Sequence, residues 1–235
     1  LCNTLEVGED GTITGYKMRC EQTKLTTVRA LQSMGYEVTY AAHDNIGKDD
    51  GIQMETLLEK GVKFCPLRMA SKNPLSRENF AAYTQIRKLL AEGDYDLVHC
   101  HTPIAGFLTR MAAREYRRHG LKVIYTTHGF SFCRYSGRTQ WIFYFWLERI
   151  ASLFTDLIIT INEEDRQNAE RLFCKNVRKI NGVGVDTKRY HDVQIDTDAY
   201  KRNLGLPTDK IMVLSVGELS ARKNHQVIIR ALGLL

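Results

Sequence analysis

Short runs of β-branched and other apolar residues alternate with longer segments of helical periodicity over most of the chain. Helical patterns occupy residues 51–61, 76–93, 103–120, 138–154 and 163–173. Strand-like runs lie around them, and they are "YEVTYAA" (36–42), "VKFCPL" (62–67), "DLVHCH" (96–101), "KVIYTTH" (122–128), "DLIITI" (156–161) and "VRKI" (177–180). Strands that alternate with helices of about ten or more residues predict βαβ units. We therefore expect an α/β fold with a Rossmann-like, doubly wound parallel sheet.

The two ends of the chain depart from this alternation. "LCNTLEV" at the start supplies at most a short strand, and the first helix is predicted over residues 17–34. From residue 181, "NGVGVD" interrupts the alternation with two glycines and predicts a linker. It is followed by a polar helical stretch, the strand "KIMVLSVG" (210–217) and a helix over 223–235. The pattern predicts a first domain over 1–186 and, over 187–235, a linker with the first βα unit of a truncated second Rossmann-like domain.

The chain is basic, and its positive charge is concentrated in one region. The net charge is +6, and residues 68–138 hold 12 Lys and Arg against 5 Asp and Glu. Such a field attracts nucleic acid, an anionic membrane surface or a phosphorylated ligand, and the simpler alternative is a solvated helical face. No helix-turn-helix, RNP or zinc signature accompanies the charge, so we expect no nucleic-acid partner.

The cysteines indicate a reducing compartment. All six are scattered without a C-x-x-C pair, and they are Cys2, Cys20, Cys65, Cys100, Cys133 and Cys174. This usage is typical of reduced thiols in the cytosol. The longest apolar run, "WIFYFWL" (141–147), is far shorter than the ~20 residues that span a bilayer. We therefore expect a cytoplasmic protein that does not cross the membrane.

Polar and titratable residues gather where the predicted strands end. In open α/β sheets, ligands bind beyond the carboxyl ends of the strands. The candidates at these ends are His99, His101, Thr102, His128, Gly129, Phe130, Asn162 and Glu163. The histidines are compatible with a metal, a proton relay or a sugar- and phosphate-binding site, and each alone would also suit a loop margin. A metal is disfavoured, because Cys100 between His99 and His101 faces away and no carboxylate stands at ligand spacing.

The segment "GELSARKN" (217–224) has features of a phosphate-binding turn. Gly217 lets the chain turn tightly off the preceding strand, and Arg222 and Lys223 arrive at the start of the following helix. There the backbone amides and the helix dipole favour an anion, to which Arg adds bidentate contacts and Lys a point charge. The pattern is neither a Walker loop nor G-x-G-x-x-G. It indicates a diphosphate site, and the alternative is two solvated charges.

The aromatic-rich helix predicted over residues 138–154 allows two interpretations. In the first, its Trp, Tyr and Phe side chains pack on the sheet. In the second, they rest on an anionic bilayer surface and meet a lipid-borne substrate. Arg134, Arg138 and the basic helix over 110–118 would assist that peripheral contact. The sequence leaves both interpretations open.

Several blocks of the sequence converge on one family. They are "VHCHTPIAGFLTRMAAR", "VIYTTHGFSF", "TDLIITINEEDRQNAE", "NGVGVDTKRY" and "VLSVGELSARKNHQVIIRAL". In this order and spacing they resemble the family 4 retaining glycosyltransferases, in particular bacterial enzymes of capsular or exopolysaccharide synthesis. The resemblance implies a GT-B fold, in which two Rossmann-like domains face each other across a cleft. In such enzymes the N-terminal domain receives the acceptor, often a lipid-linked sugar, and the C-terminal domain binds the nucleotide-sugar.

The resemblance also implies roles for single residues. His128 matches the histidine that reaches towards the donor sugar, and Lys223 matches the basic residue on the donor diphosphate. Gly217 and Arg222 belong to the same diphosphate motif, in which Glu218 departs from the arginine that many relatives carry. The acceptor-cleft candidates are His99, His101, Thr102, Gly129, Phe130, Asn162 and Glu163.

The implied reaction moves a sugar from a nucleotide-sugar, expected to be a UDP-sugar, to a hydroxyl of a lipid-linked or saccharide acceptor with retention at the anomeric carbon. No metal or other cofactor is implied, because positive charge on the leaving diphosphate takes the metal's place. The family's carboxylate pair is expected beyond residue 235, so the donor half is expected to be incomplete. The alternative is a non-catalytic fragment or a stand-alone domain that binds an acceptor or a partner.

Overall fold

A computed structural model describes residues 2–7, 13–19, 21–43, 61–69, 76–182, 191, 195–217, 219 and 223–234. The chain divides into two compact units. The first comprises Leu1–Glu6 and Gly15–Thr187, and the second comprises Val7–Thr14 and Lys188–Leu235. The roles predicted for the two parts, an acceptor-side domain and the start of a donor-binding domain, stay predictions.

Strands and helices alternate through most of the chain. In order, they are β1 (Cys2–Val7), β2 (Ile13–Arg19), α1 (Glu21–Ser33), β3 (Thr39–His43), β4 (Lys63–Leu67), α2 (Arg77–Glu92), β5 (Leu97–His101), α3 (Pro103–Ala113), a 3-10 turn (Tyr116–His119), β6 (Lys122–Thr126), α4 (Arg138–Ser152), β7 (Leu157–Thr160), α5 (Glu163–Ala169), β8 (Val177–Lys179), α6 (Thr197–Asn203) and α7 (His225–Leu232). Helices therefore connect the successive strands from β5 to β8, as the periodicity predicts.

Strands β3 to β8 form parallel sheets. β3 pairs with β4 in parallel, and β5, β6, β7 and β8 form a four-stranded sheet in sequence order. In that sheet His101 lies opposite Thr126, and Thr126 lies opposite Ile159. β1 and β2 form a separate two-stranded sheet. The predicted α/β class with parallel strands is confirmed.

One face of the four-stranded sheet carries the core. Cys100, Tyr125 and Ile158 lie opposite one another on this face and are 6%, 0% and 0% exposed. Phe145 of α4 and Ala169 of α5 belong to the same core cluster as these residues. A second cluster on this face joins Val123 to Ile86 and Leu90 of α2 and to Ala112 and Ala113 of α3. Side chains alternate between the faces of a strand, so His99 and His101 project from the opposite face. The sheet thus separates the histidines from the packed helices.

Several predicted boundaries hold. Ser76 is the N-cap of α2, as predicted, and its Oγ accepts a hydrogen bond from the Asn79 amide at 3.3 Å. The helix predicted over 103–120 is shorter, because α3 ends at Ala113 and the 3-10 turn follows. That turn ends at Gly120, whose φ of +104° is readily adopted by glycine.

Two predictions about the ends were wrong. Residues 13–19 form β2, where Ile13, Thr14 and Tyr16 favour a strand, so the first helix begins at Glu21 and not at residue 17. Residues 211–217 are not a strand. A strand needs a hydrogen-bonded neighbour, and no described residue pairs with this segment. Its side chains are also exposed, and Ile211 is 95% accessible to solvent. The helix predicted over 51–61 lies outside the described residues.

Candidate active site

Three histidines meet at the carboxyl edge of β5 and β6. His99 and His101 lie on one face of β5, and His128 follows the end of β6 by two residues. The ring centroids of His99 and His101 are 4.3 Å apart, and those of His101 and His128 are 5.4 Å apart. Because β5 and β6 are parallel, their carboxyl ends share one edge of the sheet. The structure therefore brings together the three histidines that the sequence places at strand ends.

Hydrogen bonds orient these rings. Nδ1 of His101 lies 3.2 Å from Nε2 of His128, so one nitrogen donates to the other. Nε2 of His99 lies 2.8 Å from Oγ1 of Thr126. His99 and His101 are half-buried, whereas His128 is exposed. The cluster thus presents one accessible imidazole backed by two partly enclosed ones.

His99 is held in its neutral form. Burial lowers its pKa, with a further contribution from the charge of His128, from the ordinary value of 6.5 to about 4. At neutral pH His99 therefore acts as a hydrogen-bonding group and adds no charge to the site.

The backbone is strained immediately after His101. Thr102 has a φ of +63° and precedes Pro103, the first residue of α3. A non-glycine residue with positive φ costs on the order of 1–3 kcal/mol, and such strain concentrates at functional sites. The Thr102 carbonyl accepts a hydrogen bond from the Gly106 amide at 2.9 Å. This sharp junction turns the chain directly from the histidine-bearing strand into α3.

The segment after His128, which begins with Gly129 and Phe130, is held by backbone hydrogen bonds. Gly129 has a φ of +122°, a conformation that favours glycine, and its amide donates to Oγ1 of the buried Thr127 at 3.2 Å. The Phe130 amide donates to Oδ1 of Asp165 at 3.1 Å. The Phe130 side chain is only 5% exposed and stacks on Phe132 in the core. Phe130 therefore supports this segment from the core and does not line its surface.

Asn162 and Glu163 have local partners at the start of α5. Oδ1 of Asn162 caps the helix by accepting from the Asp165 amide at 2.7 Å, and its Nδ2 donates to Oδ2 of Asp165 at 2.6 Å. Glu163 accepts from Arg166 at 2.6 and 2.9 Å. Hydrogen bonding to Arg166 lowers the pKa of Glu163. Asp165 is 2% exposed and ties α5 to the segment after His128. Sequence reasoning missed it, although Asn-x-x-Asp is a capping pattern.

A buried ion pair lies on the other side of the sheet. Nη2 of Arg110 donates to Oε2 of Glu148 at 2.8 Å, and Nε of Arg110 donates to the Gly106 carbonyl at 2.8 Å. The guanidinium lies 4.0 Å from the centroid of the Tyr125 ring, whose hydroxyl donates to Oε1 of Glu148 at 3.4 Å. Arg110 is 0% and Glu148 5% exposed. The pair joins α3, α4 and β6 inside the core.

Both members of this pair titrate abnormally. Burial raises the pKa of Glu148 against the opposing pull of Arg110. Burial is the largest single influence on Arg110 and lowers its pKa, but Glu148, Tyr125 and Cys100 together outweigh burial and raise that pKa. Sequence reasoning did not find this network, because charged residues are usually exposed.

The second unit carries the predicted diphosphate turn. A side chain at Gly217 would lie 3.2 Å from Nε2 of His225 and 3.6 Å from Cγ of Lys223, so this glycine permits close approach to the start of α7. Nδ1 of His225 lies 2.7 Å from Oγ of Ser215. Sequence reasoning did not single out Ser215 or His225. Glu218 and Arg222 lie outside the described residues.

Comparison with known proteins decides the family. A profile of Glycosyltransferase Family 4 matches residues 21–189, which is most of the chain. The chain belongs to Glycosyltransferase Family 4. The resemblance inferred from the sequence blocks is thereby confirmed.

Two curated bacterial proteins are similar to this Glycosyltransferase Family 4 chain. EpsD of Bacillus subtilis (strain 168), a glycosyltransferase by name, is 41% identical over 167 residues, which are 70% of this chain and 44% of EpsD. The UDP-Gal:alpha-D-GlcNAc-diphosphoundecaprenol alpha-1,3-galactosyltransferase of Escherichia coli is 31% identical over 140 residues, 58% of this chain and 35% of that protein. The chain thus spans less than half the length of these relatives.

A solved structure supports the family 4 fold. UDP-N-acetylglucosamine 2-epimerase from Rickettsia bellii has a TM-score of 0.51 at 16% identity, over 81% of this chain and 50% of that chain. At this identity the likeness concerns the fold alone, and it agrees with a Rossmann-like α/β architecture.

The predicted site residues of this Glycosyltransferase Family 4 chain fall into separate groups. His99, His101 and His128 form the histidine cluster, with Thr102 and Gly129 beside it in the chain. Asn162 caps α5, Glu163 is the first residue of that helix, and Gly217 and Lys223 lie in the second unit. In the part of the chain that the structure describes, no group of three or more His, Cys, Asp or Glu is arranged to hold a metal ion. The catalytic and binding roles of these residues stay predictions.

Proposed function

We propose that this chain is the acceptor-side part of a retaining glycosyltransferase of capsule or exopolysaccharide synthesis. The enzyme transfers a sugar from a nucleotide-sugar to a hydroxyl of a lipid-linked or saccharide acceptor. The histidine cluster at the carboxyl edge of β5 and β6, within a Glycosyltransferase Family 4 domain, carries the proposal. Strand ends of this kind are where open α/β sheets bind ligands.

The proposed donor is a UDP-sugar and the proposed acceptor a sugar on a polyprenyl diphosphate. Support comes from the Escherichia coli relative, whose name gives UDP-Gal as its donor and GlcNAc-diphosphoundecaprenol as its acceptor. The basic region over residues 68–138 agrees with a diphosphate-bearing acceptor, because it concentrates positive charge in the unit that holds the histidines.

In the proposed reaction the acceptor oxygen bonds to the anomeric carbon as the bond from that carbon to the diphosphate breaks. UDP leaves with the bonding electrons, and the proton of the acceptor hydroxyl passes to the departing phosphate oxygen. Lys223, at the start of α7, supplies positive charge for the leaving diphosphate without a metal. His128 is the exposed member of the cluster, and hydrogen bonding to His101 orients its ring for contact with the donor sugar.

The proposed setting is the cytoplasm, at the inner face of the cell membrane, where a lipid-linked acceptor would be met. No described helix is both long and apolar enough to cross a bilayer.

Acceptor binding tests the histidine site directly in the 235-residue chain. We would titrate the chain with a short-chain polyprenyl diphosphate N-acetylglucosamine and follow the imidazole ¹⁵N resonances. The resonances of His101 and of its hydrogen-bond partner His128 should shift saturably, and His101→Ala should weaken binding at least tenfold. His119→Ala is the matched control, because His119 is exposed at the opposite end of β6. Unchanged His128 resonances, or equal losses in both variants, would contradict the acceptor site.

Donor binding separates the contributions of the two units. We expect the 235-residue chain to bind UDP weakly or not at all in calorimetric titration, because the carboxylate pair expected for the donor sugar and ribose is not among its residues. Micromolar UDP binding would show that the second unit suffices for the donor. Radiolabelled UDP-galactose added with the same acceptor then distinguishes transfer from acceptor binding alone.

A further inference from the structure

The Gly106 carbonyl ties helix α3 to strand β5 behind the histidine cluster. It accepts a hydrogen bond from Nε of Arg110 at 2.8 Å and one from Sγ of Cys100 at 3.9 Å. Cys100 lies between His99 and His101 in β5 and is buried at 6% exposure. Because a helix residue and a strand residue share one acceptor, the helix and the strand are held together directly behind His101.

Strand β6 is held at the same place by the buried ion pair. Oε1 of Glu148 accepts from the Tyr125 hydroxyl at 3.4 Å, and Oε2 accepts from Nη2 of Arg110 at 2.8 Å. The Tyr125 ring also packs so closely on α3 that a side chain at Gly106 would lie 2.6 Å from its Cε2 atom. Tyr125 lies three residues before His128. Both strands that lead to the histidine cluster therefore rest on the same turn of α3, from Gly106 to Arg110.

This turn of α3 also holds the strained junction after His101. The Gly106 amide donates to the Thr102 carbonyl at 2.9 Å, and Thr102, which follows His101 directly, has a φ of +63°. A non-glycine residue keeps such a conformation only where the surrounding contacts over-determine it. The contacts of Gly106 with Arg110 and Cys100 supply such a restraint one turn further along the helix. A continuous path of contacts thus runs from Arg110 to the strand end that carries His101.

Stability alone does not account for an ion pair at this position. Replacing a buried ion pair by apolar residues of similar volume is often neutral or stabilising. Nη1 of Arg110 also lacks a hydrogen-bond partner among the described residues, and an unpaired buried donor is unfavourable. What the pair provides, and apolar side chains do not, is direction. Its hydrogen bonds hold the Gly106 carbonyl and the Tyr125 hydroxyl in set positions.

We propose that Arg110 is a positioning residue for the histidine cluster. Held by Glu148, it fixes the start of α3 against β5 and β6, and so keeps Nδ1 of His101 within hydrogen-bonding distance of Nε2 of His128. Arg110 is 0% exposed, so it acts on the rings only through this path of contacts. The effect on the rings is independent of any ligand, whereas its consequence for acceptor binding rests on the proposed function.

Imidazole NMR measures the proposed effect directly. In the 235-residue chain labelled with ¹⁵N-histidine, a scalar coupling across the hydrogen bond between His101 and His128 reports their contact, and the ¹⁵N shifts report their tautomers. The double variant Arg110→Met/Glu148→Leu removes the directional bonds and leaves no uncompensated charge, so it should stay folded. We expect it to lose the coupling and to shift the tautomer populations of His128.

Two further variants separate positioning from stability. Arg110→Lys keeps a charge for Glu148 but lacks the fork of donors that reaches both Glu148 and the Gly106 carbonyl, so it should weaken the coupling while the chain stays folded. Val28→Ala lowers stability by opening a cavity in a separate apolar cluster with Val62, so it should leave the coupling unchanged. Retention of the coupling in both Arg110 variants would overturn the proposal. So would its loss in Val28→Ala, since the contact would then follow overall stability.

Acceptor titration separates this proposal from the proposed function. With the short-chain polyprenyl diphosphate N-acetylglucosamine as the probe, the double variant should bind about tenfold more weakly than the original chain, a loss equivalent to about one hydrogen bond. Equal binding by the two chains would overturn the role of Arg110 in the site, and so would an original chain without the coupling. An original chain that shows the coupling but binds no acceptor would contradict the proposed function. Loss of the coupling in the double variant would still support the positioning of the rings.

Discussion

His101 and His128 are joined across the ends of two parallel strands, with Nδ1 of His101 3.2 Å from Nε2 of His128. A neutral imidazole has one N–H donor and one acceptor nitrogen. When both rings are neutral, this contact therefore couples their tautomers, because one of the two facing nitrogens carries the proton and the other accepts it. The accessible imidazole of the site depends for its tautomer on a half-buried neighbour.

Removing His101 should change the tautomer balance of His128. His101→Phe keeps an aromatic ring but removes both nitrogens, so the populations of the two neutral His128 tautomers should shift. Side-chain ¹⁵N spectra at neutral pH measure the two forms directly. His119→Phe should leave the His128 signals unchanged. A single unchanged His128 tautomer in His101→Phe would show that another group orients the ring.

Acid should destabilise the fold through His99. The unfolded chain protonates His99 below its ordinary pKa of 6.5, whereas the folded chain keeps it neutral down to about pH 4. The free energy of unfolding should therefore be intact above pH 6.5 and fall by up to about 3 kcal/mol as the pH drops to 4.

The variant His99→Gln isolates this effect. Glutamine keeps a polar group within reach of Thr126 and does not titrate. Urea unfolding at several pH values between 7 and 4 should show a flatter loss for His99→Gln than for the original chain. His119→Gln, at an exposed site, should retain the original slope. A parallel loss in His99→Gln would place the acid sensitivity in other groups.

Breaking the buried ion pair from one side should be costly. Arg110→Met leaves the Glu148 carboxylate buried without its partner, and the expected loss is about 3–5 kcal/mol of unfolding free energy. The double variant Arg110→Met/Glu148→Leu should recover most of that loss, because no uncompensated charge remains. Arg166→Met, which breaks an exposed pair with Glu163, should cost less than about 1 kcal/mol. Denaturant unfolding measures all three, and failure of the double variant to recover would argue for a packing role of the arginine.

Gly106 should not tolerate alanine. A side chain there would meet Cε2 of the Tyr125 ring at 2.6 Å, and that ring is 0% exposed beneath Arg110. The clash should lower the unfolding free energy by about 1–3 kcal/mol. Gly137→Ala is the control, because its side chain would meet no atom within 4 Å. Thermal unfolding of both variants measures the difference, and equal melting temperatures would mean that the ring can move aside.

Lys223 should matter for turnover more than for stability. In a longer protein that joins this chain to a complete donor-binding domain, Lys223→Ala should lower kcat at least a hundredfold with little change in Tm, because an exposed lysine contributes little to folding. Lys175→Ala, at another exposed site, should leave both unchanged. A collapse of Tm in Lys223→Ala would make that lysine structural.

The strand and helix pattern was predictable where burial alternates cleanly. Val123 and Tyr125 on β6 are buried on one face, and such regular patterning identifies a strand in a sequence. The strand predicted over 210–217 has the same composition but no neighbour among the described residues. Composition shows which segments can join a sheet, and pairing decides whether they do.

The candidate site was predictable in outline only. Strand ends predict that His101 and His128 lie close, but the contact between their nitrogens depends on ring rotation, which the sequence does not encode locally. Arg110 and Glu148 are 38 residues apart in the chain, and an arginine near the end of a helix usually indicates an exposed charge. The capping role of Asp165 could have been predicted, because the segment Asn162 to Asp165 has the spacing of a helix cap.

Thr102 joins the histidine-bearing strand to α3 with no loop between them. Pro103 fixes the next φ angle, and further along the same helix Arg110 is held in the core by Glu148. The strand end that carries His101 is thus joined directly to a helix held by the buried Arg110–Glu148 pair on the other face of the sheet. Variants that test the proposed acceptor site should leave that junction intact and vary the surface residues of the segment after His128.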